Sequence, residues 1–356
     1  MNDKILVINT GSTSTKISLF EKGEEVYTCE IVHELQELQK YPELADQLPY
    51  RRRVIEEQLQ SDGVRMEGLS AVAARGGTFG MAKGGAYLVE ENLLEACRHP
   101  VTPHASNLSA LIGYEIACKN GCKAYIYDAV CTNEMDDTAR MTGLHDIRRR
   151  PFSHVLNTRA AARKQAEKLG KPYESLNFVV AHLGGGLSIN VHVQGKIVDL
   201  VCDDEGPMSP ERAGKLNGKA LIDLCFSGKY DKKAMMRRIK GNGGLADHLG
   251  TSDLRAVEQM IKEGNTYALQ VVQAMAYQIS KDIAALSAVV SGKIDGIILT
   301  GGCAHSAFLT DLISRRISYI APVSIYPGTM EMEALARGIS RVLSGQEDYH
   351  IKGSRE

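Results

Sequence analysis

Near the start of the chain, Asn9-Thr10-Gly11-Ser12-Thr13-Ser14-Thr15-Lys16 concentrates backbone donors, hydroxyls and one cation in a single short stretch. Small residues let a backbone approach a polyphosphate closely, and amides and hydroxyls bond its oxygens. The stretch is not a Walker A loop, because no glycine precedes Lys16. A solvent-facing turn has the same composition, so both readings stay open on this stretch alone. A second turn, His182-Leu183-Gly184-Gly185-Gly186, favours the first reading. Two such turns facing across a cleft would clamp the phosphates of one nucleotide from both sides.

Other residues carry weaker signals. Thr300-Gly301-Gly302 follows a buried strand and suits either a flat ligand such as adenine or ribose, or a tight turn needing positive φ. Asp128 ends the apolar run Ala124-Tyr125-Ile126-Tyr127. A carboxylate at a strand's C-terminal end faces a ligand crevice in many α/β domains, or simply caps a turn. His104, His154 and Arg212 stand as isolated polar residues. No pair of histidines has zinc-site spacing beside a carboxylate, and no G-x-S-x-G elbow is present. Gly241-Asn242-Gly243-Gly244-Leu245-Ala246 fits G-x-G-x-x-A formally, but Met235 to Lys240 before it is not a buried strand, which argues against a dinucleotide fold. It reads as a flexible loop.

The elements that carry these turns repeat. Ile5 to Ile8 is a short apolar run, the Ser/Thr turn follows, and Lys16 to Phe20 alternates polar and apolar up to Gly23. Phe178 to Ala181, the glycine turn, and Ser188 to Val193 up to Gly195 follow the same plan. Leu69 to Ala73 runs into Gly76-Gly77 as Asp295 to Leu299 runs into Gly301-Gly302. Two matches in the same order predict duplicated α/β domains. Val271, Met275, Ile279, Ile283 and Leu286 recur at helical spacing and predict a core-facing helix. Residues 156–176 read as an exposed amphipathic helix, and 331–345 as a final helix after Pro327-Gly328.

The 356 residues, with a net charge of −1, exert no general pull on nucleic acid or anionic membrane. No apolar run approaches the roughly 20 residues of a membrane span, and the first apolar run is too short for a signal-peptide core. The eight cysteines include no CxxC pair and read as reduced thiols, so a cytoplasmic protein is expected.

The stretch Val7 to Lys16 resembles the N-terminal signature of the acetate and butyrate kinases. Ala181 to Gly186 and Leu299 to Gly302 are similar to that family's second phosphate motif and its adenosine motif. Asp204 to Gly214, Tyr326-Pro327-Gly328, and Glu331 to Ala336 resemble the butyrate kinase branch. The resemblance spans nearly the whole chain. It implies two actin-like ATPase (ribonuclease H-like) domains with a nucleotide cleft between them. The first domain, 1–155 with the C-terminal helix 331–356, would bind acyl substrate and phosphate, and 156–330 would bind nucleotide. It implies Mg²⁺ and ATP/ADP, with a small carboxylic acid and an acyl phosphate as the other partners, and a homo-oligomer, dimer or larger. By motif, Asn9, Ser12, Ser14 and Lys16 form one phosphate turn, and His182 with Gly184, Gly185 and Gly186 the other. Gly301 and Gly302 would meet the adenosine, Asp128 and Glu331 belong to the Mg²⁺ environment, Arg212 and His154 to the transferring phosphoryl group, and His104 and Asn107 to the substrate. Acetate kinases carry a substrate-side arginine four residues before a Gly-Gly, where this chain has Val72. Here Arg75 directly precedes Gly76-Gly77, as in butyrate kinases. Thr10 stands where proline is frequent in that branch, at a position that supplies backbone.

The reaction expected is butyrate plus ATP giving butyryl phosphate plus ADP by direct in-line transfer. A carboxylate with a pKa near about 4–5 is already ionised at pH 7, so no strong general base is required. The same chemistry on acetate, propionate or a branched acid, and a non-catalytic nucleotide-binding regulator of the same fold, are the alternatives. An NAD-dependent enzyme is a more distant one.

Overall fold

The structure, a computed structural model, describes residues 3–100, 102–202 and 204–353. The chain forms two compact units. One runs to Asn133 and resumes at Met330; the other is Glu134–Thr329. Residues 134–155, placed in the first domain on the sequence, therefore pack with the second unit, because helix Val155–Leu169 and the segment leading into it lie against that unit's strands.

In the first unit, β1 (Lys4–Thr10), β2 (Ser14–Glu21) and β3 (Glu24–Val32) form an antiparallel meander. β4 (Ala71–Arg75) lies parallel to β1, and β6 (Lys123–Tyr127) parallel to β4. β5 (Ala86–Leu88) and β12 (Tyr349–His350) complete the edge, giving the order β12-β5-β6-β4-β1-β2-β3 among the described residues. In the second unit, β7 (Asn177–Leu183), β8 (Leu187–Val193) and β9 (Lys196–Val201) form another meander. β10 (Gly296–Gly301) lies parallel to β7 and β11 (Val323–Pro327) parallel to β10. The order β9-β8-β7-β10-β11 repeats β3-β2-β1-β4-β6 strand for strand. The duplication read from the two strand–turn–strand units is thus a duplication of topology.

Strand alternation sorts the side chains. In the first unit Leu6, Ile8, Ile17, Val72, Ala74 and Ile126 point into a core shared with Ile55 and Leu59 of helix Leu48–Ser61 and Leu108 and Ile112 of helix Asn107–Lys119. Helix Glu331–Leu343 packs on β1, β4 and β6 with Gly338 against the ring of Tyr127. A Cβ at Gly338 would come within 2.7 Å of that ring, so only glycine permits the approach.

In the second unit Val179, Ala181, Ile189, Val191, Ile297 and Leu299 meet helices Thr266–Ser287 and Ala307–Ile317. Val271, Met275, Ile279, Ile283 and Leu286 are all buried, as their spacing predicts. The expected exposed helix over 156–176 is instead helix Val155–Leu169, with one face deep against β7, β8 and β10. Ala161, Ala162 and Ala166 are small enough to let it settle there, and Gly170 ends it in the left-handed conformation. Among the described residues no helix is long and apolar enough to cross a membrane. All eight cysteines are free thiols.

Candidate functional site

The parallel strands of each unit end in a row of polar side chains, and in each unit one helix residue ties that row together. In the first unit, strand register sets Glu30, Lys16, Asn9, Arg75 and Tyr127 side by side across β3, β2, β1, β4 and β6. Glu331, the first residue of its helix, lies over the middle of the row. Its Oε2 accepts from Asn9 Nδ2 at 2.9 Å and from Arg75 Nη1 at 2.7 Å. A carboxylate is favoured there by the helix's positive end and by the guanidinium. Arg75 Nε is buried without a partner. Lys16 Nζ lies 3.6 Å from Glu30, a half-exposed surface pair.

The turn after β1 closes through Gly11 N to Ser14 O at 2.7 Å, leaving Ser12 and Thr13 exposed. Thr10 does more than supply backbone. Its Oγ1 donates to Ala105 O at 2.7 Å, and its N–H donates to Ser109 Oγ at 2.9 Å. The segment from His104 onward is thereby moored beside the end of β1, and His104 Nδ1 accepts from Ser106 N at 3.2 Å.

Asn107 is buried and faces the other way. Its Oδ1 accepts from Thr78 N at 2.9 Å, and its Nδ2 donates to Thr78 O at 2.8 Å and Cys97 O at 3.3 Å. A Cβ at Gly77 would stand 2.0 Å from that Oδ1, so glycine at 77 admits the Asn107 side chain. Asp128, buried at φ +44, accepts from Gly85 N at 2.9 Å through Oδ1. It sits beside Gly76, whose missing side chain makes room for Ala129.

In the second unit the corresponding row is Ser188, His182, Thr300 and Tyr326 on β8, β7, β10 and β11. Asn157, from helix Val155–Leu169, holds the position that Glu331 holds in the first. Its Nδ2 donates to His182 Nδ1 at 2.9 Å and to Thr300 Oγ1 at 3.2 Å. The bond to Nδ1 fixes the orientation of the His182 ring. The His154 ring stacks on His182 with centroids 3.8 Å apart and planes 4° apart, and His154 Nδ1 is 2.9 Å from Ser188 Oγ. A Cβ at Gly184 would press to 3.3 Å from His182 Nε2 and 3.1 Å from Gly186 O. Ser209 Oγ donates to Gly185 O at 2.5 Å.

Gly301 has φ +92, and a Cβ there would lie 2.4 Å from Leu183 O; its backbone exchanges bonds of 2.9 and 3.0 Å with Gly328. Gly301 therefore has the positive φ and the close backbone approach of a tight turn.

Arg212 sits on a loop bridged to Lys240. The loop at 241–246, expected to be flexible, is packed against it. Gly241 N donates to Glu211 O at 2.8 Å and Ala246 N to Pro210 O at 3.0 Å, and a Cβ at Gly244 would fall 1.7 Å from Ser209 O. Gly243 and Gly244 serve close backbone packing, which composition cannot distinguish from mobility. Met208 N donates to Gln278 Oε1 at 2.9 Å, and Lys215 pairs with Asp282, fastening the Arg212 loop to the core helix.

Sequence reasoning therefore located the turns but missed Asn157 and Ser188. The signal for Ser188 was present: Ser188, Asn190 and His192 put polar groups on one face of a fully buried strand. Among the described residues no three His, Cys, Asp or Glu side chains cluster as a complete metal cage. Mg²⁺ needs none, since it binds one or two carboxylates and completes its shell with water and phosphate oxygens. Glu331, oriented through Oε2 alone, and Asp128 are hard oxygen donors of that type.

The model of the Acetokinase family matches residues 137–321, just over half of the 356 residues. Among solved structures, the acetate kinase of Porphyromonas gingivalis superposes with a TM-score of 0.80 at 21% identity, covering 96% of this chain and 100% of its own. The acetate kinase of Entamoeba histolytica gives 0.77 at 16%, covering 95% and 99%. A propionate kinase from Francisella tularensis gives 0.73 at 15%, covering 94% and 98%. The fold is the two-sheet α/β fold of the acetate kinases and the sugar-kinase/actin-like ATPases.

Proposed function

This chain belongs to the acetokinase family of carboxylate kinases, and we propose that its acid is butyrate, phosphorylated reversibly by ATP to give butyryl phosphate and ADP. The observation that carries the kinase chemistry is the His182 arrangement. Asn157 fixes the imidazole through Nδ1, and Nε2 lies beside a glycine turn whose side chains are absent where a phosphate must approach. Butyrate is favoured by Arg75 standing directly before Gly76-Gly77, and by the resemblance of 204–214 and 326–336 to the butyrate branch. Branched acids, propionate and acetate are the second reading, because one methylene changes binding by only about 1–3 kcal/mol.

In this mechanism a carboxylate oxygen of the acid bonds to the γ-phosphorus while the bond to the β–γ bridging oxygen breaks and ADP departs. The acid is already ionised, so no proton moves and no protein nucleophile is needed. The turn of Asn9, Ser12, Ser14 and Lys16 takes phosphate oxygens, and Gly301-Gly302 approaches the adenosine. Arg212, His154, His182 and the amides of Gly184 to Gly186 offset charge on the equatorial oxygens, the usual source of rate in such transfers. Arg75 and His104 serve the acid. Asn107 acts on the acid through Thr78 and the Gly76-Gly77 turn rather than by touching it. Mg²⁺, when bound, neutralises phosphate charge, and Glu331 with Asp128 would hold it. The first unit thus serves acid and phosphate, and the second the nucleotide.

Trapping the acyl phosphate as a hydroxamate, with Mg-ATP and acids from acetate to valerate including isobutyrate, tests this reading. The largest yield is expected at butyrate. A maximum at another acid keeps the reaction and corrects the substrate. No product from any acid, with ATP still bound, favours a nucleotide-binding regulator.

A further inference from the structure

Beneath the Ser/Thr turn of the first unit lies a residue that no motif marks. Arg51, on helix Leu48–Ser61, is 0% exposed. Its guanidinium is spent almost wholly on that turn. Nη1 donates to Gly11 O at 2.8 Å and Nη2 to Ser12 O at 2.7 Å, with longer contacts of 3.4 Å from Nη1 to Ser14 O and Thr15 Oγ1. Gln47 Oε1 accepts from Nε at 3.0 Å. Among the described residues no carboxylate pairs with Arg51.

A buried charge without a counter-charge is costly. Neutral donors would satisfy the same carbonyls, so hydrogen bonding alone does not account for a cation here. The fork has two consequences for the turn. It draws the carbonyls of Gly11 and Ser12 inward, which fixes the peptide planes and so directs the exposed face of the turn outward. It also holds one unscreened positive charge a single backbone thickness from that face, where a polyanion would supply the missing counter-charge. His33, buried alongside and bonded to Thr15 Oγ1 at 2.9 Å, is held well below its usual range by burial and by the Arg51 charge.

We infer that Arg51 is a positioning residue for polyphosphate, shaping the 11–14 turn and lending it charge without touching the ligand. The inference rests on the proposed reading of this turn as a phosphate turn. It adds a residue outside every motif and predicts a graded dependence on phosphate number.

The experiment compares affinity for Mg-ATP and for AMP, with the melting temperature of each variant, in the full chain. Arg51→Met is expected to weaken Mg-ATP about tenfold or more while AMP stays within about twofold. Arg51→Lys, which keeps the charge and loses the fork, should fall between Arg51→Met and wild type. A purely structural role would lower the melting temperature and change both ligands equally, or neither, and would overturn the inference. Should Arg51→Met fail to fold, Gln47→Met frees Nε while keeping the cation. It is then expected to weaken Mg-ATP by about threefold with AMP unchanged, and unchanged Mg-ATP affinity would overturn the inference. Ser12→Ala separates the two levels of the argument. If it weakens Mg-ATP and the Arg51 variants do not, the role of Arg51 is wrong and the turn stands. If neither it nor they weaken Mg-ATP, the phosphate turn itself is wrong.

Discussion

Arg75 and Glu331 are 256 residues apart in the chain, yet Nη1 and Oε2 meet at 2.7 Å. The pair fastens the C-terminal helix to the end of β4 and holds one carboxylate oxygen in place at the strand ends. Glu331→Gln preserves shape and removes charge. It is expected to lower kcat by about 10²–10³-fold and to raise the Mg²⁺ concentration required. Glu331→Ala additionally strands Arg75, whose Nε already lacks a partner. Urea unfolding should show a loss of about 1–3 kcal/mol. Wild-type stability in that variant would mean the pair does not secure the helix.

Asn107 supplies a second prediction, because its amide is bonded to both backbone groups of Thr78. Asn107→Ala leaves a buried donor and acceptor without partners, at a cost of about 2–4 kcal/mol. Chemical denaturation measures that directly. A variant as stable as wild type but with a large rise in KM for the acid would instead make Asn107 a direct substrate contact.

The His33 imidazole carries a pH signature. Burial first, and then the Arg51 charge, lower its pKa from 6.5 to about 4. Between those values the unfolded chain binds a proton that the folded one excludes, so stability falls as pH falls through that window. The full contribution is up to about 3 kcal/mol, present above pH 6.5 and lost by pH 4. His33→Gln should flatten the urea midpoint between pH 7 and 4.5 relative to wild type. Parallel curves for the two proteins would remove His33 as the cause.

The strands, turns and duplicated order were legible because each is a local pattern. Ile5 to Phe20 and Phe178 to Val193 alternate over a few residues, and the long helix repeats every three or four. What stayed hidden is long-range. Asn157 reaches Thr300 across 143 residues and Glu331 reaches Asn9 across 322, so no window of sequence contains either pair. Helix Val155–Leu169 reads as exposed because Lys and Arg crowd one face, while its buried face is mostly alanine and small polar residues that carry little hydropathy signal. Arg51 stands in the run Arg51-Arg52-Arg53, where composition suggests a solvated surface; only the fold turns the first of the three inward. The glycines at 243 and 244 look like a mobile loop for the same reason, since close backbone packing and freedom call for the same residue.

In the proposed reaction a carboxylate oxygen of the acid attacks the γ-phosphorus of ATP. Butyrate labelled with ¹⁸O in both carboxyl positions, incubated with the enzyme and Mg-ATP and followed by ³¹P NMR, tests it most directly. Direct attack gives an isotope-shifted acyl phosphate resonance carrying the label at its bridging oxygen, with ADP unlabelled. Label appearing in AMP, or ATP turnover without any labelled acyl phosphate, would contradict it.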